Sequence, residues 1–365
     1  HTVAQVIFQV LQMAEHNIKT GYGVSQSGYG PTQPPAQGSG QGNGFGPTGW
    51  ALISSRMMQM MKNKGHGVNM KTSLSLAIIS IVCVGFVDDT DLPTAGATVD
   101  TSGEDIQHEF QTSLDRWAGA LHVTGGELDP KKSWCYLIDF KWTGTTWQYR
   151  NQDEMPGSFT LNDKEGSQHT LRRLEPSQGS ETLGIYLAMD GSHADHLQSM
   201  KDKGIAFAGK IRVSNCSSNV AMYTYKYCFL PSLQYSMCVS NFTEKEWISI
   251  IAPAKKATLH KSQMAATIPC DMLYGTSKYN GFDLEDPYTR QGIEKLATFM
   301  QEAPRMSQAG IMTRNGAENF RLELGMNFTM GTIDWAKAKE LVTTNTWHAH
   351  FCLLYTSDAA DDAHG

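Results

Sequence analysis

Residues 82–92 have the sequence Val82-Cys83-Val84-Gly85-Phe86-Val87-Asp88-Asp89-Thr90-Asp91-Leu92. This segment closes an apolar, β-branched run that begins at Leu74, and such a run predicts one buried strand over residues 74–87. Two adjacent carboxylates, Asp88 and Asp89, follow this run, and a shorter segment that ends at Leu92 comes after them. A strand, an acidic turn and a second strand together predict a β-hairpin.

The two carboxylates allow two interpretations. Hard oxygen donors in a hairpin turn are ligands that Mg²⁺ takes when it also holds phosphate groups. The alternative is that Asp88 and Asp89 are present only because aspartate is favoured in turns.

Two further blocks flank the predicted hairpin. Upstream, Gln41-Gly42-Asn43-Gly44-Phe45-Gly46-Pro47 leads into a predicted helix, for which Pro47 is a suitable first residue. Downstream, Gly125-Gly126-Glu127-Leu128-Asp129-Pro130-Lys131-Lys132-Ser133 follows a second predicted helix. Residues 44–49 also match G-x-G-x-x-G, but no strand precedes them and Pro47 interrupts them, which argues against a dinucleotide-binding loop.

In this order, the three blocks resemble the Gln-Gly loop, the Phe/Tyr-x-Asp-Asp hairpin and the Gly…Asn-Pro-x-Lys-Thr element of reverse transcriptases, in particular those of retrotransposons without long terminal repeats. The resemblance implies an RNA-directed DNA polymerase. Its partners would be an RNA template, a DNA primer and deoxynucleoside triphosphates.

The resemblance also implies roles for individual residues. The catalytic residues would be Asp88, Asp89 and Lys132, with Asp88 and Asp89 holding two Mg²⁺ ions and Lys132 near the triphosphate. The residues that contact the template or the incoming nucleotide would be Gln41, Gly42, Phe86 and Val87.

Nucleotidyl transfer with two metal ions needs a further carboxylate beside the hairpin pair. The resemblance places it upstream of the Gln-Gly loop, but residues 1–40 contain no Asp, and their one acidic residue is Glu15. Because the sequence begins at His1 rather than Met, we expect a chain that is truncated at its N-terminus and inactive as it stands. Two alternatives remain: a catalytically dead or domesticated palm and thumb that binds RNA, and an intron-encoded maturase.

Hydrophobic periodicity predicts an α+β fold. Helices are predicted over residues 47–65, 102–124 and 287–303, and strands over residues 133–142 and 181–187. By the resemblance, these elements build a polymerase palm, an antiparallel sheet with helices on one face, followed by a mostly helical thumb. The expected divisions are partial fingers and palm at 1–190, a thumb at 191–275, a helical extension at 276–351 and a tail at 352–365.

Composition narrows the class of protein. A chain of 365 residues with 40% hydrophobic content can bury a substantial core. The seven cysteines form no C-x-x-C pair, and without a signal peptide they predict reduced thiols in an intracellular protein that is not secreted. The apolar run at residues 74–87 is too short to span a bilayer, so no membrane role is expected.

The net charge of −6 is unfavourable for an enzyme that binds nucleic acid. Residues 352–361 resemble the translation of a sequencing adapter, and residues 352–365 are therefore predicted to be non-native. They include three Asp and no Lys or Arg, so excluding them brings the net charge to −3. The histidines at 193, 196, 348 and 350 lack a third ligand at metal-binding spacing and are predicted to be surface residues.

Overall fold

A computed structural model of the chain describes residues 46–98, 100–163, 165–327 and 346–351, together with residues 13, 17, 19–20, 23–24, 338 and 340–342. The chain divides into two compact units. Unit 1 comprises His1–Met70, Ser80–Cys135 and Pro156–Arg173, and unit 2 comprises Lys71–Ile79, Tyr136–Met155 and Leu174–Gly365. Helices and strands both contribute, so the predicted α+β class is confirmed.

Unit 1 contains two long amphipathic helices, α1 (Gly46–Asn63) and α2 (Gly103–Val123), both close to the predicted positions. Gly65, just beyond α1, has a φ of 82°, a left-handed backbone conformation that glycine adopts at low cost and that ends helices. At the start of α2, the Ser102 hydroxyl accepts a hydrogen bond from the amide of Asp105 at 3.1 Å.

The apolar stripes of these helices form one core cluster of unit 1. Met57 and Met61 of α1 are buried against Trp117 and Leu121 of α2. These residues lie three or four positions apart on each helix, which is the spacing that the sequence predicts for buried faces.

The strands are short. In chain order they are β1 (Lys19–Thr20), β2 (Gly23–Val24), β3 (Val68–Lys71), β4 (Ile78–Ile81), β5 (Val84–Phe86), β6 (Asp89–Asp91), β7 (Trp134–Tyr136), β8 (Phe140–Trp142), β9 (Trp147–Tyr149), β10 (Thr160–Asn162), β11 (Gln168–Thr170), β12 (Arg172–Leu174), β13 (Ser180–Thr182) and β14 (Ile185–Leu187). Within the described ranges they form seven two-stranded ladders. Antiparallel hairpins of consecutive strands include β1/β2, β5/β6, β8/β9, β10/β11 and β13/β14. The other two ladders pair β3 with β4 and β7 with β12.

Several strand predictions need correction. The predicted single sheet is divided into pairs in the part of the chain that the structure describes. The predicted buried strand at residues 74–87 is instead β4 and β5, preceded by a turn at residues 73–75, and Leu76 in this run is 64% exposed. The apolar composition indicated extended backbone and masked this turn, although Ser73 and Ser75 are of a type common in turns. Leu76, just after the turn, adopts a φ of 55°, which leucine rarely does.

Two other predicted strands are also interrupted. Residues 133–142 contain β7 and β8, separated by residues 137–139. Residues 181–187 form most of the β13/β14 hairpin, whose turn is Leu183–Gly184, with φ values of 54° and 79°. The Leu-Gly pair is therefore a turn, not the middle of a strand.

Unit 2 is mainly helical from residue 194 onward. Its α-helices are α3 (Ala194–Val213), α4 (Ser218–Thr224), α5 (Leu230–Gln234), α6 (Glu244–Lys261), α7 (Cys270–Tyr274), α8 (Pro287–Glu302) and α9 (Gln308–Leu324). A π-helical segment, Tyr225–Phe229, joins α4 to α5. The helix predicted at residues 287–303 is confirmed by α8. In the described residues, no helix combines the length and the apolar character needed to cross a bilayer.

The core of unit 2 lies where α3 and α6 pack together with the π-helical segment. Trp247 and Ile250 of α6, Phe229 of the π-helical segment and Phe242 are buried in one cluster. Thr243 caps α6 with a capping box, in which its hydroxyl accepts from the Glu246 amide while the Glu246 carboxylate accepts from the Thr243 amide.

Candidate functional site

The predicted acidic hairpin is confirmed as the β5/β6 pair. Phe86 lies opposite Asp89, and Val87 and Asp88 form the two-residue turn between them. Asp88 and Asp89 are both exposed. The hairpin therefore presents adjacent carboxylates to solvent at its tip.

The two faces of this hairpin differ. Gly85 lies opposite Thr90, and a Cβ atom on Gly85 would come within 3.1 Å of the Met58 Cε atom of α1. Side chains alternate along a strand, so Phe86 and Asp89 project from the opposite face. This outward face combines exposed apolar and acidic side chains: Val84, Phe86, Asp89 and Asp91.

Asp91, which the sequence suggests is structural, lies on the same face of the hairpin as Asp89. Loss of hydration and, secondarily, the negative charge of the Asp89 carboxylate raise the pKa of Asp91. The sequence carried the signal for this placement, because two carboxylates separated by one residue on a strand share a face. The outward face thus concentrates negative charge that a cation would neutralise.

The turn itself is strained. Val87 has a φ of 54°, in the left-handed region that β-branched residues rarely adopt. Such a conformation costs roughly 1–2 kcal/mol and would be relieved by glycine or asparagine. The chain therefore holds Val87 in a conformation that its side chain disfavours, directly before Asp88.

Lys132 lies in a turn organised by Asp129. The Lys131 amide donates to the Asp129 carboxylate at 3.0 Å, the Lys132 amide donates to the Asp129 carbonyl at 3.1 Å, and the Ser133 hydroxyl donates to the same carbonyl at 2.8 Å. The Lys132 side chain is exposed. Among the described ion pairs, none joins Lys132 to Asp88 or Asp89, so the structure does not bring these residues into direct contact.

The remaining predicted residues fall into two groups. Phe86 and Val87 are exposed at the hairpin tip, beside the carboxylates. Gln41 and Gly42 lie outside the described residues, and of their block only Gly46 and Pro47 are described, as the start of α1.

Unit 1 also contains a charged cluster around His66 that sequence reasoning missed. The buried imidazole has its Nδ1 atom 2.8 Å from Oε1 of Glu109 and its Nε2 atom 2.5 Å from Nη1 of Arg116. Because arginine can only donate, Nε2 of His66 accepts from Arg116. Glu109 and Arg116 lie two turns apart on α2, a spacing that places them on one side of the helix.

A second polar cluster is buried in unit 2. Lys295 of α8 donates to Oδ1 of Asn241 at 2.5 Å and lies 3.2 Å from Nδ1 of His350. Nε2 of His350 lies 3.0 Å from the Phe242 carbonyl and donates to it. Burial lowers the pKa of Lys295 to about 7 and that of His350 to about 3.

The prediction that the four histidines lie on the surface is wrong for two of them, since His196 and His350 are 2% and 3% exposed. His193 is partly buried and lies 3.2 Å from the Glu246 carboxylate. These side chains are buried because the helices pack around them. The absence of a third metal ligand in the sequence gives no information about such burial.

Within the described ranges, no three or more His, Cys, Asp or Glu side chains converge into a complete metal site. Searches with models of known protein families and with curated proteins give no match to this chain. The resemblance to reverse transcriptases therefore depends on the residues of the three blocks.

Proposed function

We propose that this chain is part of a reverse transcriptase, an RNA-directed DNA polymerase of a retroelement, in which the β5/β6 hairpin carries the metal-binding carboxylates. The observation that carries this proposal is the exposed hairpin tip, with Asp88 in the turn and Asp89 at the start of β6. The order of the three sequence blocks supports the same function, since each block alone is common.

The hairpin fits Mg²⁺ in its chemistry. Asp88 and Asp89 offer exposed carboxylate oxygens, which are the donors that hard divalent cations prefer. The raised pKa of Asp91 reflects partial loss of hydration and repulsion from Asp89, and a divalent cation at the outward face would offset that repulsion. We assign Asp88 and Asp89 as ligands and Asp91 as a neighbouring carboxylate.

The backbone at Val87 supports a functional role for the tip. Residues held in unfavourable backbone regions persist where surrounding structure enforces them, and they cluster at functional sites. A left-handed valine immediately before Asp88 is such a case. The strained turn would fix the direction in which the Asp88 carboxylate projects.

The roles proposed for the site residues are those that the resemblance to reverse transcriptases implies. When bound, two Mg²⁺ ions would activate the 3′ hydroxyl of the primer and neutralise the leaving pyrophosphate. Asp88 and Asp89 would hold and position the ions, and the exposed Phe86 and Val87 would contact the template or the nucleotide. Lys132 would offset negative charge on the triphosphate from its exposed turn.

The finer architecture belongs to the same proposal. The hairpin and the helices α1 and α2 would be part of the palm, the helices α3 to α7 would form the thumb, and α8 and α9 would belong to a helical extension. The partners would be an RNA template, a DNA primer and deoxynucleoside triphosphates.

Primer extension tests this function. We expect the chain, joined to a segment that supplies the further carboxylate, to lengthen a DNA primer on an RNA template in Mg²⁺. The substitution Asp88→Ala should reduce extension by about a hundredfold or more, because it removes a charge that is aligned with the reacting groups. The measurement is the length distribution of labelled primers.

The control variant is Asp100→Asn, which changes another exposed carboxylate of unit 1. It should extend primers as the unsubstituted protein does. Undiminished extension by Asp88→Ala would overturn the assignment. Tight RNA binding with no extension in any metal would favour the non-catalytic RNA-binding alternative.

A further inference from the structure

An open groove of about 530 Å³ lies in unit 2 between α3 and the π-helical segment. Its volume is within the range typical of sites for small molecules. One wall is α3, with Phe207 between Lys203 and Lys210, and the opposite wall includes Cys228 and Phe229. π-helical segments are rare and often occur at functional sites, which makes this groove distinctive.

The floor of the groove is aromatic. The rings of Phe207 and Phe229 stack with centroids 4.6 Å apart and an interplanar angle of 28°. Phe229 is buried and Phe207 is half-buried, so the stacked pair is anchored in the core on one side and faces the groove on the other. An apolar ligand would cover this surface favourably.

The hydroxyl groups that line the groove are already engaged. The Ser214 hydroxyl donates to the Ile211 carbonyl at 2.8 Å, Thr224 to the Val220 carbonyl at 2.8 Å, and Ser232 to the Phe229 carbonyl at 2.6 Å. Each hydroxyl has a single proton to donate. The lining therefore offers few free hydrogen-bond donors that could bind the polar edge of a base or a sugar.

The charged side chains that line the groove are all positive. Lys203 and Lys210 both border the groove, and no acidic residue lines it. Neither lysine takes part in an ion pair among the described residues. Two unpaired cations beside an apolar floor favour a ligand that carries negative charge on an apolar body.

We propose that this groove binds a long-chain carboxylate, with its aliphatic body on Phe207 and Phe229 and its head group paired with Lys203 or Lys210. The apolar floor provides most of the binding free energy, and the lysines select the anionic head group. This site is separate from the acidic hairpin and does not depend on the polymerase proposal.

Two thiols make the proposal testable. Cys228 is exposed and lines the groove, whereas Cys270 is exposed in the same unit and does not line it. Sodium laurate, used below the concentration at which it forms micelles, should slow alkylation of Cys228 several-fold and leave the rate at Cys270 unchanged. Mass spectrometry of the separate peptides measures both rates in one sample.

Substitutions test each part of the site. The double variant Lys203→Gln and Lys210→Gln should weaken laurate protection by about 2- to 5-fold, as expected for an exposed ion pair. Ala206→Trp, at an exposed lining position, should abolish protection by filling the groove. The matched control, Lys245→Gln with Lys256→Gln on α6, removes the same charge from exposed positions outside the lining and should leave protection intact.

Ligand controls separate the two halves of the ligand. Dodecanol, which lacks the charge, and inorganic phosphate, which lacks the apolar body, should each protect Cys228 less than laurate does. Equal protection by dodecanol, equal protection by phosphate, or slowing of Cys270 alongside Cys228 would overturn the proposal. Absence of any protection by laurate would overturn it as well.

Discussion

Gly204→Ala should lower the free energy of unfolding of unit 2 by about 2 kcal/mol or more. A Cβ atom at position 204 would lie 2.2 Å from the backbone oxygen of Ile250, where α3 packs against α6. A backbone atom cannot rotate away as a side chain does, so the two helices would have to separate. Overpacking of this kind typically costs about 1–3 kcal/mol, more than alanine gains over glycine in helix propensity.

Gly209→Ala is the matched control for this prediction. It makes the same chemical change in the same helix, but a Cβ atom there would meet nothing within 4 Å. This variant should be more stable by about 0.5–1 kcal/mol, because alanine restricts the unfolded chain. Urea unfolding followed by the circular dichroism of the helices measures both variants. The close packing of α3 and α6 would be contradicted if Gly204→Ala were as stable as Gly209→Ala.

The second large effect is a rise in the stability of unit 2 with pH, caused by Lys295. This side chain is 0% exposed, and burial lowers its pKa to about 7, while the unfolded chain keeps the usual value of 10.5. Between these values the unfolded state binds the proton and the folded state does not. Stability must therefore increase as pH rises from about 7, on the order of 1 kcal/mol per pH unit.

Lys295→Met should flatten this slope between pH 7 and 9. The measurement is the free energy of unfolding in urea at several pH values, compared between the variant and the unsubstituted chain. Lys256→Met, at an exposed position of α6, should keep the slope unchanged. The window ends at pH 9 because burial also raises the pKa of Cys238, whose ionisation in the unfolded state reduces stability at higher pH. Identical slopes for all three proteins would contradict a deprotonated Lys295.

The helices could be predicted from local patterns. α1 and α2 each combine an apolar stripe with a start signal, Pro47 or the Ser102 cap, and a glycine beyond the end. These signals act within a few residues, so neighbouring residues are sufficient to read them. Strand partners are different, because they depend on residues distant in the chain. Composition therefore identified extended runs but not their interruptions or their pairing.

The candidate site also combines features that neighbouring residues predict with features that depend on distant residues. The Asp88 turn was predictable because aspartate pairs after an apolar run favour hairpin turns. Two-residue spacing places Asp91 on the same face as Asp89, but the placement of Val84 and Phe86 on that face required the register of β5 and β6. The buried contacts of Lys295 join residues 241, 295 and 350, and no local pattern brings such positions together.

In the function that we propose, the β5/β6 hairpin binds divalent cations through Asp88 and Asp89. Titration of this chain with Mn²⁺, followed by the electron paramagnetic resonance signal of the free ion, tests it directly. We expect Asp88→Asn to weaken Mn²⁺ binding by about tenfold or more and Asp89→Asn to weaken it as well, because each removes a charged oxygen donor. Asp100→Asn should bind Mn²⁺ as the unsubstituted chain does. If Asp88→Asn and Asp89→Asn both bound Mn²⁺ with undiminished affinity, the hairpin would not be a metal site and the polymerase proposal would be contradicted.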